Sequence, residues 1–176
     1  MAVTIHQSED RGPYPDPPDG LTDAGAELDP GVIWARLEQW IAHRWSARAV
    51  VWIVEGPGEW SPPLVPAVID EVEEWHPAGW QAVSPALAPL GYDLARGKFR
   101  FTATVGEGPV PDDAAEAYRR LAEYIAADAG GVPGASEYMM SIGSDISETI
   151  KRSPAHIAKA IHNSGAADLL RPYRRA

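Results

Sequence analysis

Glycine and proline punctuate this chain so often that loops and short elements are expected to dominate it. There are 16 glycines and 17 prolines among 176 residues, about a fifth of the chain against a usual share of roughly an eighth. Proline removes a backbone donor and glycine favours turns, so short elements joined by loops are expected and a long helical bundle is not. The hydrophobic share of 45% still lies in the globular range, so a core exists. The length suits one domain, or a small core with extended arms.

Several function classes are excluded early. The chain has no cysteine, which rules out a disulfide scaffold, a thiolate zinc site, an iron–sulfur cluster and a Cys nucleophile. No run approaches the eighteen or so apolar residues of a membrane span. Met1 to Asp10 lacks a basic start followed by an apolar stretch, so no signal peptide is expected. A net charge of −10 argues against a general nucleic-acid coat, which would be basic.

That charge is unevenly placed. Residues 1–29 hold Glu9, Asp10, Asp16, Asp19, Asp23, Glu27 and Asp29 against Arg11 alone. Residues 149–176 hold Lys151, Arg152, Lys159, Arg171, Arg174 and Arg175 against Asp168 alone. The middle is acidic. Such asymmetry usually has an interaction behind it. The head, with Gly12-Pro13-Tyr14-Pro15-Asp16-Pro17-Pro18, has little to bury and reads as an extended arm over 1–29.

Asp29-Pro30 then opens a helix, Asp as N-cap and Pro in the first turn. Ile33, Trp34, Leu37, Trp40, Ile41 and Trp45 recur at helical spacing, with Arg44 inside the stripe. A β section over 48–105 follows. Ala49 to Val54 is apolar on both faces and predicts a central or interface strand. Ala67–Trp75 and Trp80–Val83 predict a hairpin that brings Trp75 and Trp80 together. The last strand sets Phe99, Phe101, Ala103 and Val105 on one face and Lys98, Arg100, Thr102 and Thr104 on the other. Pro111-Asp112-Asp113 starts a second helix that buries Ala114, Ala117, Tyr118, Leu121 and Ile125 and ends at Gly130-Gly131. Beyond it come an extended Tyr138–Ile142, a short helix near Asp145–Arg152, and a helix from Ser153-Pro154 to Ser164-Gly165. The fold class is α+β, a small helical core over 30–165 with an inserted short antiparallel β section, flanked by the arm and a basic tail over 166–176.

No catalytic set convinces. Gly56-Pro57-Gly58 and Gly106-Glu107-Gly108 lack the Lys-Ser/Thr of a phosphate loop and open no helix. His156 and His162 stand six apart, a poor spacing for two ligands on one helical face, and solvated histidines are the plainer reading. Asp70, Glu71, Glu73 and Glu74 lack the glycine and spacing of a calcium loop. On a strand they cannot all converge. Serines 136, 141, 144 and 147 have no Gly-x-Ser-x-Gly context. A non-enzyme without cofactor or metal is expected.

Binding residues are easier to nominate. Of the seven tryptophans, Trp34, Trp40, Trp45 and Trp52 suit core packing. Trp60, Trp75 and Trp80 lie near turns, where exposure would make a subunit interface or a sugar-binding platform. The ending Leu169-Leu170-Arg171-Pro172-Tyr173-Arg174-Arg175 joins apolar anchors to an aromatic and three arginines, residue types enriched at interface hot spots. A docking tail with Leu169, Leu170, Arg171, Tyr173, Arg174 and Arg175 in contact with a partner is expected, and its deletion should leave the fold intact.

Five segments, in order, resemble the head–tail connector (adaptor) proteins of long-tailed phages and gene transfer agents. They are Trp34–Trp45, Val50–Val54, Lys98–Thr102, Glu116–Tyr124 and the ending Asn163–Arg175, together covering roughly residues 30–176. The resemblance implies a structural virion protein at the head–tail junction, assembled in the host cytoplasm. It implies a ring, commonly of about twelve copies, beneath the portal at the capsid vertex. The partners would be the portal protein, further copies of the chain, and the next tail-side component (stopper or tail terminator). Double-stranded DNA would pass through without specific binding. The family's C-terminal segment tends to reach along the portal, which fits the Leu/Arg/Tyr-rich ending. The smallest family members are nearly all helical, and this chain departs from them in its β section and Pro-rich head. The alternative from another class is a small carbohydrate- or peptide-binding module using Trp60, Trp75 and Trp80.

Overall fold

The computed structural model describes residues 1–129, 137–142, 146–151 and 158–174. It is an α+β fold whose chain forms two compact units. The first takes Met1–Pro15 and Ala42–Pro109, and the second takes Asp16–Ile41 and Val110–Ala176. The β section is thus inserted into the helical unit, between its two longer helices.

The first unit is built on strand pairing. Strands β1 (Val3–Glu9), β2 (Arg48–Glu55), β4 (Ala67–His76), β5 (Gly79–Ala82) and β8 (Lys98–Val105) form an antiparallel sheet in the order β1-β2-β8-β4-β5. The doubly apolar β2 is central, as its composition predicts, with Val50, Trp52 and Val54 buried. The alternation of β8 holds too: Phe99, Phe101, Ala103 and Val105 face the core. Trp75 sits opposite Trp80 across the β4–β5 hairpin. A second sheet of β3 (Gly58–Trp60), β7 (Gly91–Leu94) and β6 (Ala86–Ala88) brings Trp60 and Tyr92 against Phe101. Gly91 is required there, since a Cβ would lie 2.2 Å from the Trp60 carbonyl oxygen.

The second unit is helical at its centre. The Asp29 carboxylate accepts the Gly31 N–H at 2.8 Å and Pro30 occupies the first turn of α2 (Pro30–Trp40). The short α1 (Asp23–Ala26) precedes it, and α3 (Asp112–Ala129) follows the insertion. Ile33, Trp34 and Leu37 of α2, and Ala114, Ala117, Tyr118 and Leu121 of α3, are buried. The Trp34 and Tyr118 rings meet at 4.8 Å between centroids. Strands β9 (Glu137–Ile142) and β10 (Ile146–Lys151) pair antiparallel, and α4 (Ala160–Asn163), α5 (Ala166–Leu169) and a 3-10 turn (Arg171–Tyr173) close the described chain. Among the described residues no helix is long and apolar enough to cross a membrane.

Four expectations need correction. The head is not a free arm. Residues 3–9 form edge strand β1, because Trp52 and Trp60 direct their indole N–H groups to Gln7 at 2.8 Å and Thr4 at 2.9 Å. Further along the head, Thr22 donates its backbone N–H and its hydroxyl to Glu123, both at 2.7 Å. The first helix stops at Trp40 rather than reaching Trp45. Ala42 and Arg44 exchange backbone hydrogen bonds with Val65 at 2.9 and 2.8 Å, and that pairing overrides the helical spacing. Of the segment expected as a helix near Asp145–Arg152, Ile146–Lys151 is a strand: Ile146, Thr149 and Ile150 are β-branched, and it pairs with β9. Residues 166–174 are folded onto their own chain, with Ala166 and Leu170 buried, so the expected docking tail is not separable from the fold. The start of the helix placed from Ser153-Pro154 lies outside the described residues, and its stop at Ser164-Gly165 is observed.

Candidate functional site

The ending of the chain is built onto α3. Gly165 takes a left-handed conformation (φ 76°) and turns α4 into α5. Ala166 and Leu170 then become fully buried. The Tyr173 hydroxyl donates to Asp113 Oδ1 at 2.8 Å, at the start of α3. Burial first, then that hydrogen bond and the Asp113 charge, push the Tyr173 phenol up to about 12. Asn163 donates to the Tyr124 hydroxyl at 3.0 Å. Two hydrogen bonds thus tie the ending to α3, one at Asp113 and one at Tyr124.

What this leaves outward is basic. Arg171 and Arg174 are exposed, with Leu169 half-buried between them and the core. The Arg174 guanidinium lies over the Trp40 ring at 4.4 Å, and His162 meets the same ring edge-on at 4.6 Å. A cation over an indole face is held by the ring quadrupole while its N–H donors stay free for a partner's carboxylates. A cavity of about 350 Å³ opens beside Trp40, lined by Arg36, Gln39, Leu121, Ala158 and Ile161. The expected docking set is therefore divided. Leu170 is spent on its own core and Tyr173 on Asp113, whereas Leu169, Arg171 and Arg174 remain at the surface. Arg175 lies outside the described residues.

The tryptophan set divides as well. Trp60 is only 5% exposed, wedged against Phe101 at 4.2 Å between centroids. Trp75 is 51% exposed and meets Trp80 edge-on at 5.2 Å. Arg100 covers the Trp80 ring at 4.8 Å and pairs with Glu73. Trp75 and Trp80 form a ridge that Arg100 stiffens, and Trp60 belongs to the interior. Three rings in one platform, as a sugar site on these residues would need, are not brought together.

The acidic run of β4 is dispersed, as strand alternation requires. Asp70 accepts the Thr104 hydroxyl at 3.2 Å, Glu73 holds Arg100, and Glu74 faces His76 at 3.4 Å. Among the described residues no group of three or more His, Cys, Asp or Glu side chains is placed to hold a metal ion.

The structure adds a cluster that composition did not suggest. Glu9 receives Arg44 through Nε at 2.6 Å and Nη2 at 3.1 Å, and Arg48 approaches at 3.5 Å. Arg48 also stacks over Tyr14 at 5.0 Å and reaches the Pro13 carbonyl at 3.4 Å. Both guanidiniums are nearly buried, and the carboxylate offsets part of the cost of burying them. Its sequence signal was the Val3-Thr4-Ile5 alternation at the start of the head, outweighed by the acidic, Pro-rich stretch behind it.

No family model matches the chain, and neither a curated protein nor a solved structure is recognisably similar to it.

Proposed function

We propose that this chain is a non-enzymatic structural subunit that forms a ring joining a phage-type portal to a tail and extending the DNA channel. The observation that carries the reading is the arrangement of the helical unit. Segments 16–41 and 110–174, which hold the α2, α3 and C-terminal parts of the resemblance, fold together, and the β unit is an insertion between them. The basic, partly apolar surface of Leu169, Arg171 and Arg174 suits an acidic patch on a portal protein. An acidic channel wall would repel phosphates and let DNA slide. Virion localisation at the head–tail junction follows from the same reading.

Light-scattering mass measurement of the chain alone and mixed with a candidate portal protein tests this. A closed ring, or a complex with the portal, is expected. A strictly monomeric chain that is absent from particles would overturn the reading. Docking is tested by Arg171→Glu with Arg174→Glu, which should abolish portal association while leaving the thermal midpoint unchanged. Deleting Leu169–Ala176 is not a clean test, because it removes the buried Leu170 and would cost the fold about 2–5 kcal/mol.

A further inference from the structure

Among the described residues, the five-stranded sheet is open along β1 and along part of β4. At one edge, among the described residues, β1 pairs only with β2, and Val3 (56% exposed) and Ile5 (49%) face outward. At the other, β5 covers only Glu73–His76 of β4, and Val83 takes the Val72 carbonyl. Ala67–Glu71 therefore has β8 on one side and, among the described residues, no backbone partner on the other. Val68 there is 60% exposed. An open strand edge is a row of unpaired donors and acceptors that templates another strand.

Strand direction and charge choose the occupant. Every neighbour in the sheet is antiparallel, so β1 and β4 run in opposite directions across its four longer strands. A second copy placed in the same orientation sets its β1 antiparallel to this β4, with no reversal of the molecule. Val3–Ser8 carries no acid, whereas the open part of β4 carries Asp70 and Glu71. Two β4 edges facing each other would oppose like charges, which is destabilising. An edge of β1 against an edge of β4 avoids that, and His6 adds a side chain able to meet a carboxylate.

We propose that copies of this chain join edge to edge, β1 of one lying antiparallel along Ala67–Glu71 of the next, so that the sheets run on as one belt. The inference rests on the ring reading and names its interface. Such a contact is heterologous, the kind that closes into rings. Register shifts at Thr4/His6 and at Ile69/Glu71 confine each junction to a few residues. One junction is weak, and closure of the ring stabilises all of them together.

The absence of native cysteine makes the test direct. Ile5→Cys, Val68→Cys and the double variant are assembled with the portal and treated with a short bis-maleimide. Both side chains are exposed, so folding is unaffected. Each single variant should remain uncross-linked, an equal mixture of the two should give dimers only, and the double variant a ladder of multimers. Dimers from either single variant, or no cross-linking in particles of ring mass, would overturn the inference while sparing the ring reading. A monomeric mass throughout would overturn both. As a second readout, Val68→Lys should reduce the ring fraction several-fold without shifting the thermal midpoint, and an undiminished ring fraction would also overturn the inference.

Discussion

The two ends of the chain look alike in sequence, each polar, charged and next to prolines, yet they are fastened by different physics. The N-terminal end is held by strand pairing and by polar bonds: Gln7 and Thr4 accept tryptophan N–H groups, and Glu9 pairs with two arginines. The C-terminal end is held by an apolar anchor, Leu170, with one hydroxyl bond beside it. Charge composition says where a segment can be solvated. It does not say whether a few well-placed side chains will tie it down.

Mutations separate the two modes. Leu170→Ala is expected to have the largest effect, a loss of about 2–5 kcal/mol in denaturant unfolding, because a fully buried leucine leaves a cavity. Glu9→Gln should cost about 2 kcal/mol, since two nearly buried guanidiniums lose a charged partner. An effect of Glu9→Gln above that of Leu170→Ala would reverse the contrast.

Tyr173→Phe is expected to cost about 1 kcal/mol, the usual net value of one hydrogen bond. It carries a pH signature as well. The phenol is raised in the folded state, so the neutral form is favoured by folding. The corresponding stability is complete below the unfolded value of about 10 and is lost as pH rises through about 12. Ultraviolet titration of the six tyrosines should show a late step near that upper value, missing in the variant. The smallest effect belongs to Ile5→Ser, within about 0.5 kcal/mol, because that side chain stands on the outer edge of the sheet. A larger loss would mean that the edge is already engaged within the subunit.

Much of the fold was legible in residue spacing. Asp29-Pro30, the β8 alternation and the Trp75/Trp80 hairpin are local signals whose partners lie on the same element or across one turn. What escaped depended on distant partners. Trp45 follows the helical stripe in sequence, but the backbone bonds to Val65 take the chain out of the helix before reaching it. Trp60 sits beside a turn, and only the second sheet, a set of three- and four-residue strands too short for any period to show, reveals that it is interior. Of the nominated surface, Arg171 and Arg174 stand exposed because charge must stay wet, whereas Leu170, an apolar anchor that would serve a partner or its own core equally well, is interior.

The insertion of one unit into the other also sets an order of events at the ribosome. Every residue of the β unit has been made once Pro109 is joined, so that unit can complete its sheets while synthesis continues. The helical unit has its first half waiting from residue 41 onward and cannot close its core until Leu170 emerges. A nascent chain therefore carries the unburied α2 stripe of Ile33, Trp34 and Leu37 until α3 has been made, and those residues are where a chaperone would be expected to hold it.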